Sequence, residues 1–159
     1  MNATDRNRTE TASGLARPSS DGNSLWSLLF AAWFVALVAS LGALFIGEVM
    51  GQTPCVLCWY QRAFMFPLAI VLAVGAFRVD RGTWLYGLPL AVIGGGIALY
   101  HSLLFGGVIT EALEPCGQGP SCTDAAMTIF GSIPLPFLSF AAFAGIVLLL
   151  FLTTRIRKP

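Results

Sequence analysis

The chain has 159 residues, of which 56% are hydrophobic and only 11% are charged. An ordinary soluble domain is about 45–50% apolar, glycine included, and about 25% charged. Because so few charges cannot cover the surface of a soluble fold, the composition predicts a membrane protein and argues against a cytosolic enzyme. The net charge of +1 and the lack of a dense basic patch argue against nucleic-acid binding.

The chain begins with a polar segment. Residues 1–24 are rich in Ser, Thr, Asn, Asp and Arg, and a segment with so little to bury is predicted to be a disordered tail. The apolar run that follows, Leu25–Ile46, is longer than the stretch of about 7–15 residues in a secretory signal. We therefore predict that this run is retained as a spanning helix.

Four apolar stretches are long enough, or nearly so, to cross the hydrocarbon layer, for which a helix needs about 20 apolar residues. They predict membrane helices over about 25–46, 59–77, 84–105 and 133–152. Pro134 and Pro136 open the last stretch, and proline suits the first turn of a helix. The predicted fold is an all-α, four-transmembrane-helix bundle over 25–154, followed by a basic tail over 155–159.

Eight of the nine cations, all but Arg62, fall in three groups that four spans place on one side of the membrane. These groups lie in the N-terminal tail, between the second and third spans, and at the C terminus: Arg6, Arg8, Arg17, Arg78, Arg81, Arg155, Arg157 and Lys158. By the positive-inside rule this side is the cytoplasm, so both termini are predicted to be cytoplasmic. The cysteines then fall on the opposite, extracytoplasmic side, which in bacteria is oxidising.

Cys55 and Cys58 form a Cys-x-x-Cys pair after Pro54, and Arg62 follows one turn later. Such a pair can close a small disulfide, and the positive end of a helix dipole favours a thiolate. Because Cys58 and Arg62 share a helix face, the guanidinium is predicted to favour the Cys58 thiolate and to bind a carbonyl oxygen of an electron acceptor. The alternative for Arg62 is a side chain that snorkels to lipid phosphates.

The second cysteine pair, Cys116 and Cys122, lies in a loop rich in Gly and Pro. The five residues between them allow ring closure, which leaves two readings open: a permanent structural disulfide, or an exposed disulfide that an incoming thiolate can attack. The residues that follow, 123–130, are predicted to form a short amphipathic helix on the membrane surface, with its apolar side chains facing lipid.

Two further readings of these residues remain open. The four cysteines could hold zinc, but the spacing of Cys116 and Cys122 is loose for a zinc knuckle, so no metal site is predicted. His101, the one histidine, either is satisfied by a neighbouring helix or water, or donates to a bound ring or relays a proton. In the same span, Gly94-Gly95-Gly96 is predicted to permit close helix packing.

The stretch PCVLCWYQR, residues 54–62, resembles the signature of the bacterial disulfide-bond formation protein B (DsbB) family. The short second loop and the sequence IPLPFLSF, residues 133–140, are similar to the BdbC type of that family. The resemblance covers all four spans, from about Leu25 to Leu152. It implies a quinone-linked protein-disulfide oxidoreductase of the bacterial cytoplasmic (inner) membrane that supports disulfide bond formation.

The resemblance also implies roles for the cysteines. A reduced thioredoxin-fold oxidase of the DsbA kind would attack the Cys116–Cys122 disulfide, with Cys116 forming the mixed disulfide and Cys122 resolving it. Electrons would pass to a Cys55–Cys58 disulfide, and from Cys58 to a membrane quinone, either ubiquinone or menaquinone.

Arg62 and His101 match family residues beside the quinone, and together they form the implied quinone-binding set. The chain departs from the longer members of the family, which place a long segment between the second pair of cysteines. Three rival classes are a four-helix enzyme of the vitamin K epoxide reductase type, a metal-binding membrane protein that uses the four thiols, and a structural protein with permanent disulfides. In the first of these the Cys-x-x-Cys pair lies late in the bundle, whereas here it follows the first span.

Overall fold

The computed structural model describes residues 20–109, 128–129 and 133–155. In chain order its elements are α1 (Ser20–Leu44), a π-helical turn (Phe45–Val49), α2 (Val56–Arg78), α3 (Thr83–Phe105), β1 (Thr128–Ile129), β2 (Ile133–Pro134) and α4 (Leu135–Arg155). Most of the predicted tail over 1–24 lies outside the described residues, and α1 begins within it, at Ser20.

Within the described residues, four helices are long and apolar enough to cross a membrane, which confirms the predicted all-α membrane fold. At 1.5 Å per residue, a helix of 21 residues, the length of α4, spans about 31 Å, against a hydrocarbon layer of about 30 Å. The outer surface of the bundle exposes many large apolar side chains, among them Phe34, Ile70, Phe77, Tyr86, Val92 and Leu148. Lipid tails can cover such a surface, so the chain needs few charges.

The helix bounds differ from the predicted spans, and the difference matters most at α2. The predicted span began at Trp59, whereas α2 begins at Val56, with Cys55 as its N-cap in extended backbone. The apolar run alone begins after the cysteines, whereas the helix face predicted for Cys58 and Arg62 already requires a helix that includes Cys58. Cys55 packs as a small apolar residue and is fully buried. Cys58 therefore lies inside the first helical turn.

The surface helix predicted over 123–130 is wrong at residues 128–129, and the remainder of that range lies outside the described residues. Thr128 and Ile129 are extended and pair antiparallel with Pro134 and Ile133, respectively. β-branched side chains favour extended backbone, and three of these four residues are β-branched. The short ladder leads directly into α4.

The four helices form a closed ring in which α1 and α3 each pack against both α2 and α4. Chain neighbours run in opposite directions: Trp33 in α1 meets Phe77 at the end of α2, with ring centroids 5.5 Å apart. Large buried side chains fill the centre, namely Leu29, Leu68, Leu72, Phe143, Ile146 and Leu150. One end of the bundle therefore gathers the ends of α1 and α3 and the starts of α2 and α4, and we call it the cysteine end.

Close packing between α3 and α4 depends on Gly94. A Cβ atom at Gly94 would lie 2.4 Å from Cε1 of Phe143, so the aromatic ring occupies the space that any other residue would need. Gly96, two positions later, has open space around the same point. Of the three consecutive glycines, Gly94 is thus the one that the packing requires most.

We expect Gly94→Ala to lower the free energy of unfolding by about 1–3 kcal/mol, the usual cost of overpacking a filled core. The measurement is thermal unfolding in detergent, followed by circular dichroism. Gly96→Ala is the matched control, because a methyl group there meets no atom within 4 Å and alanine favours a helix by about 1 kcal/mol over glycine. Equal stability of the two variants would contradict this account of the packing.

Candidate functional site

Cys55 and Cys58 lie side by side at the start of α2. Cys55 caps the helix, its carbonyl accepts a hydrogen bond from the Trp59 backbone N–H at 3.1 Å, and its side chain is fully buried. The two Sγ atoms are 3.3 Å apart, against about 2.05 Å in a disulfide. A small movement would therefore close the predicted Cys55–Cys58 bond, and the N–H groups at the start of a helix can stabilise a thiolate.

His101 approaches the same pair from the end of α3. It is fully buried, and its Nε2 lies 3.9 Å from Cys55 Sγ. The other ring nitrogen, Nδ1, lies 3.0 Å from Nε2 of Gln61. His101 and the first cysteine pair therefore meet at the cysteine end of the bundle.

Gln61 and Ser139 belong to the site although the sequence analysis did not single them out. Ser139, near the start of α4, donates from Oγ to Gln61 Oε1 at 2.5 Å. Gln61 is buried, so a single line of side chains joins α4 through α2 to His101 on α3. Both lie in the stretches that carry the family resemblance, 54–62 and 133–140, but neither stretch indicates which helices meet.

The guanidinium of Arg62 turns toward α1. Nη2 donates to the carbonyl of Ala43 at 2.7 Å, and Cζ lies 5.7 Å from the centroid of the Trp59 ring. Gly47, in the π-helical turn, leaves room for this group, since a Cβ there would lie 3.0 Å from Nη2. A guanidinium has five N–H donors, and the bond to Ala43 uses one of them.

A cavity of about 530 Å³ lies beside these residues, between α1, α2 and α4. Its wall is mostly apolar, and the polar side chains that reach it are Cys58, Gln61, Arg62, His101 and Ser139. The exposed side chains of Phe34, Val38 and Leu138 also line it. The cavity therefore opens on the apolar outer surface of the bundle. Cys58 lines it, but Cys55 does not.

The donor atoms of Cys55, Cys58 and His101 all lie within 4.8 Å of one another. Thiolate and imidazole are ligands that zinc prefers, so among the described residues this cluster has the donor atoms to hold a metal ion. Disulfide formation would remove both thiolates, and such a site would exist only in the dithiol state. Cys116 and Cys122 lie outside the described residues, and their predicted disulfide and roles stay predictions.

Comparison with known proteins decides the family. The family described as "Disulfide bond formation protein DsbB" matches residues 23–153. The chain belongs to the DsbB family. This membership confirms the resemblance found in the sequence. It favours assignment to the DsbB family over the vitamin K epoxide reductase type. No solved structure matches the chain.

Relatives within the DsbB group cover most of the chain. A "Probable disulfide formation protein" of Metapseudomonas resinovorans is 53% identical over 135 residues, which is 84% of this chain and 94% of the relative. "Disulfide bond formation protein C" of Bacillus subtilis (strain 168) is 39% identical over 120 residues, 76% of this chain and 87% of the relative. The chain is therefore a multi-pass membrane protein of disulfide bond formation, a disulfide oxidoreductase of the DsbB family.

Proposed function

We propose that the chain is a thiol:quinone oxidoreductase that reoxidises a thioredoxin-fold dithiol oxidase of the DsbA kind. The observation that carries this proposal is that Cys58 and Arg62 reach one apolar cavity that opens on the lipid-facing surface, with His101 in its wall. A membrane quinone needs an apolar entry route, donors for its carbonyl oxygens and a thiol within reach. The size of the cavity lies within the usual range of small-molecule sites, about 300–1,000 Å³.

The proposed path moves one pair of electrons through two exchanges. In the first, the two thiols of the partner become a disulfide while Cys116–Cys122 is reduced to a dithiol. In the second, Cys116 and Cys122 are reoxidised while Cys55–Cys58 is reduced. A bound quinone supplies the final sink, since it takes two electrons and two protons to become a hydroquinone, and the Cys55–Cys58 disulfide forms again.

The direction of this path follows from reduction potentials. A partner of the DsbA kind is already strongly oxidising, at about −120 mV, and each 30 mV of a two-electron step is worth about 1.4 kcal/mol. Its reoxidation therefore needs a more oxidising acceptor, and membrane quinones dissolve in the layer on which the cavity opens. Arg62 is suited to the acceptor oxygen because a charged donor makes hydrogen bonds about twice as strong as a neutral one.

We further propose that the cysteine end faces the extracytoplasmic side of the bacterial cytoplasmic membrane. Arg78 ends α2, Arg81 lies in the link to α3, and Arg155 ends α4, so all three lie at the opposite end of the bundle from Cys55. Cytoplasmic segments carry an excess of Lys and Arg. This orientation keeps both termini in the cytoplasm and both cysteine pairs in an oxidising compartment.

We expect the purified protein in detergent to reduce ubiquinone or menaquinone when a reduced thioredoxin-fold partner is the electron donor. Cys116→Ser should stop this partner-driven turnover, because the outer disulfide can no longer form. The measurement is hydroquinone formation followed by absorbance. Failure with both quinone classes would contradict the proposal. In that case one equivalent of zinc or copper in the purified protein would favour the metal-binding class, and cysteines that resist mild reductant would favour permanent disulfides.

A further inference from the structure

We propose that Ser139 and Gln61 are positioning residues that hold the His101 ring with its proton on Nε2, so that this N–H donates to Cys55 Sγ. The proposal deepens the proposed function and rests on it only for the catalytic consequence. The hydrogen bonds themselves rest on the geometry of side chains from three helices.

The contacts form one continuous line. Ser139 Oγ lies 2.5 Å from Gln61 Oε1, Gln61 Nε2 lies 3.0 Å from His101 Nδ1, and His101 Nε2 lies 3.9 Å from Cys55 Sγ. His101 and Cys55 are fully buried, and Gln61 is only 7% exposed. A buried polar group without a hydrogen-bond partner is costly, so burial favours each of these contacts.

The distances fix the direction of these bonds. A separation of 2.5 Å suits O–H···O and is too short for N–H···O, which ranges over about 2.7–3.2 Å. The oxygen of the Gln61 amide therefore faces Ser139, and its NH2 group faces His101. An amide nitrogen only donates, so Nδ1 of His101 must accept. The proton of the neutral ring is then on Nε2, the nitrogen that faces Cys55.

This tautomer decides what His101 can do for the thiol. With Nε2 already protonated, the ring cannot take the proton of Cys55, but it can donate to the sulfur and stabilise its thiolate. The bond should tighten when the sulfur is charged, because charge-assisted hydrogen bonds are shorter and stronger. The other ionisable side chains that line the adjoining cavity are Cys58 and Arg62, both from α2, whereas the lining residues of α1 and α4 carry no ionisable group.

The Cys55 thiolate is needed when the inner disulfide closes. In that step the S–S bond between Cys55 and Cys58 forms and two electrons leave to the quinone that the proposed function supplies. The two protons of the dithiol balance the two that the hydroquinone gains. His101 keeps its own proton throughout, which makes it a donor to Cys55 and not its base.

Because His101 is the one histidine in the sequence, its tautomer can be measured directly. Labelling the full protein with ¹⁵N-histidine gives signals from only two ring nitrogens, and their NMR shifts distinguish the two neutral tautomers from the cation. In the reduced parent we expect a neutral ring protonated on Nε2. In Gln61→Glu the proton should move to Nδ1, because an ionised carboxylate only accepts.

Ser139→Ala should give a mixture of the two tautomers, because the Gln61 amide is then free to turn over. Ser102→Ala is the matched control: its buried hydroxyl is next to His101 in sequence but donates to the carbonyl of Ala98 at 2.8 Å. This control should leave both nitrogen signals unchanged. The control distinguishes loss of the Ser139–Gln61–His101 hydrogen bonds from loss of any buried hydroxyl near the ring.

The kinetic readout is the quinone-driven closure of the inner disulfide. Gln61→Glu and Ser139→Ala should each lower kcat by about tenfold, the effect of losing one typical hydrogen bond, with little change in KM for the quinone. In the parent, a ring protonated on Nδ1 or a cationic ring would overturn the proposal. An unchanged tautomer in Gln61→Glu would also overturn it. If the tautomer is as proposed but no quinone is reduced, the proposed function fails and the hydrogen-bond assignment stands.

Discussion

Replacing Cys58 by Ser is expected to abolish quinone reduction, with a fall of roughly 10³-fold or more, the scale on which loss of a nucleophile acts. Cys58 is the member of the inner pair that lines the cavity, whereas Cys55 is fully buried. Electrons can therefore leave for an acceptor in the cavity from Cys58. A serine hydroxyl fills nearly the same space but cannot be oxidised to a disulfide. The measurement is hydroquinone formation by the reduced variant.

Cys55→Ser is the matched variant for this test. It should also lose turnover, since the inner disulfide cannot close, but Cys58 should keep its access to the cavity. A small apolar maleimide should therefore label Cys58 in Cys55→Ser faster than it labels Cys55 in Cys58→Ser. Equal labelling rates, or a Cys58→Ser variant that still reduces quinone, would contradict the assignment of Cys58 as the exit for electrons.

Arg62→Ala is expected to raise the apparent KM for quinone by about 10–100-fold, because hydrogen bonds to charged groups are worth about 1.5–3 kcal/mol. The guanidinium reaches the cavity and is held there by Ala43 and Trp59. Arg62→Lys keeps the charge but loses the planar fork, so its KM should lie between those of the parent and Arg62→Ala. Steady-state kinetics at varied quinone concentration measure both.

The control for Arg62 is Arg78→Ala, at the far end of α2, which should leave the quinone KM unchanged. The exchange between the outer cysteine pair and the partner should be unaffected in all three variants. An unchanged KM in Arg62→Ala, together with a lower melting temperature, would show that the arginine only ties α2 to the carbonyl of Ala43. If Arg62 only snorkels to lipid phosphates, Arg62→Ala should change neither the quinone KM nor the melting temperature.

The fold was predictable because membrane burial leaves a strong signal in composition. Four apolar stretches of helical length, separated by polar links, predict four spans without any knowledge of packing. The apolar run alone begins at Trp59, but the Cys-x-x-Cys pair after Pro54 indicated a helix start at the cysteines, and the helix begins at Val56. The two-residue strands β1 and β2 are too short to show the alternation that marks a strand.

The candidate site was predictable only in part. Cys55, Cys58 and Arg62 carry a fixed spacing on one helix, so a local pattern was enough to bring them together. Gln61 and Ser139 are 78 positions apart, and their contact depends on how α2 and α4 are rotated about their axes. No local pattern encodes that rotation, since it results from packing such as that of Gly94 against Phe143.

The central claim is that the inner dithiol gives its electrons to a quinone, and a single-turnover experiment tests it most directly. A Cys116→Ser/Cys122→Ser double variant is reduced, freed of reductant and mixed anaerobically with one equivalent of quinone. The account predicts that each chain loses two thiols and yields one hydroquinone. Quinone that stays oxidised beside a dithiol that stays reduced, with either quinone class, would contradict it.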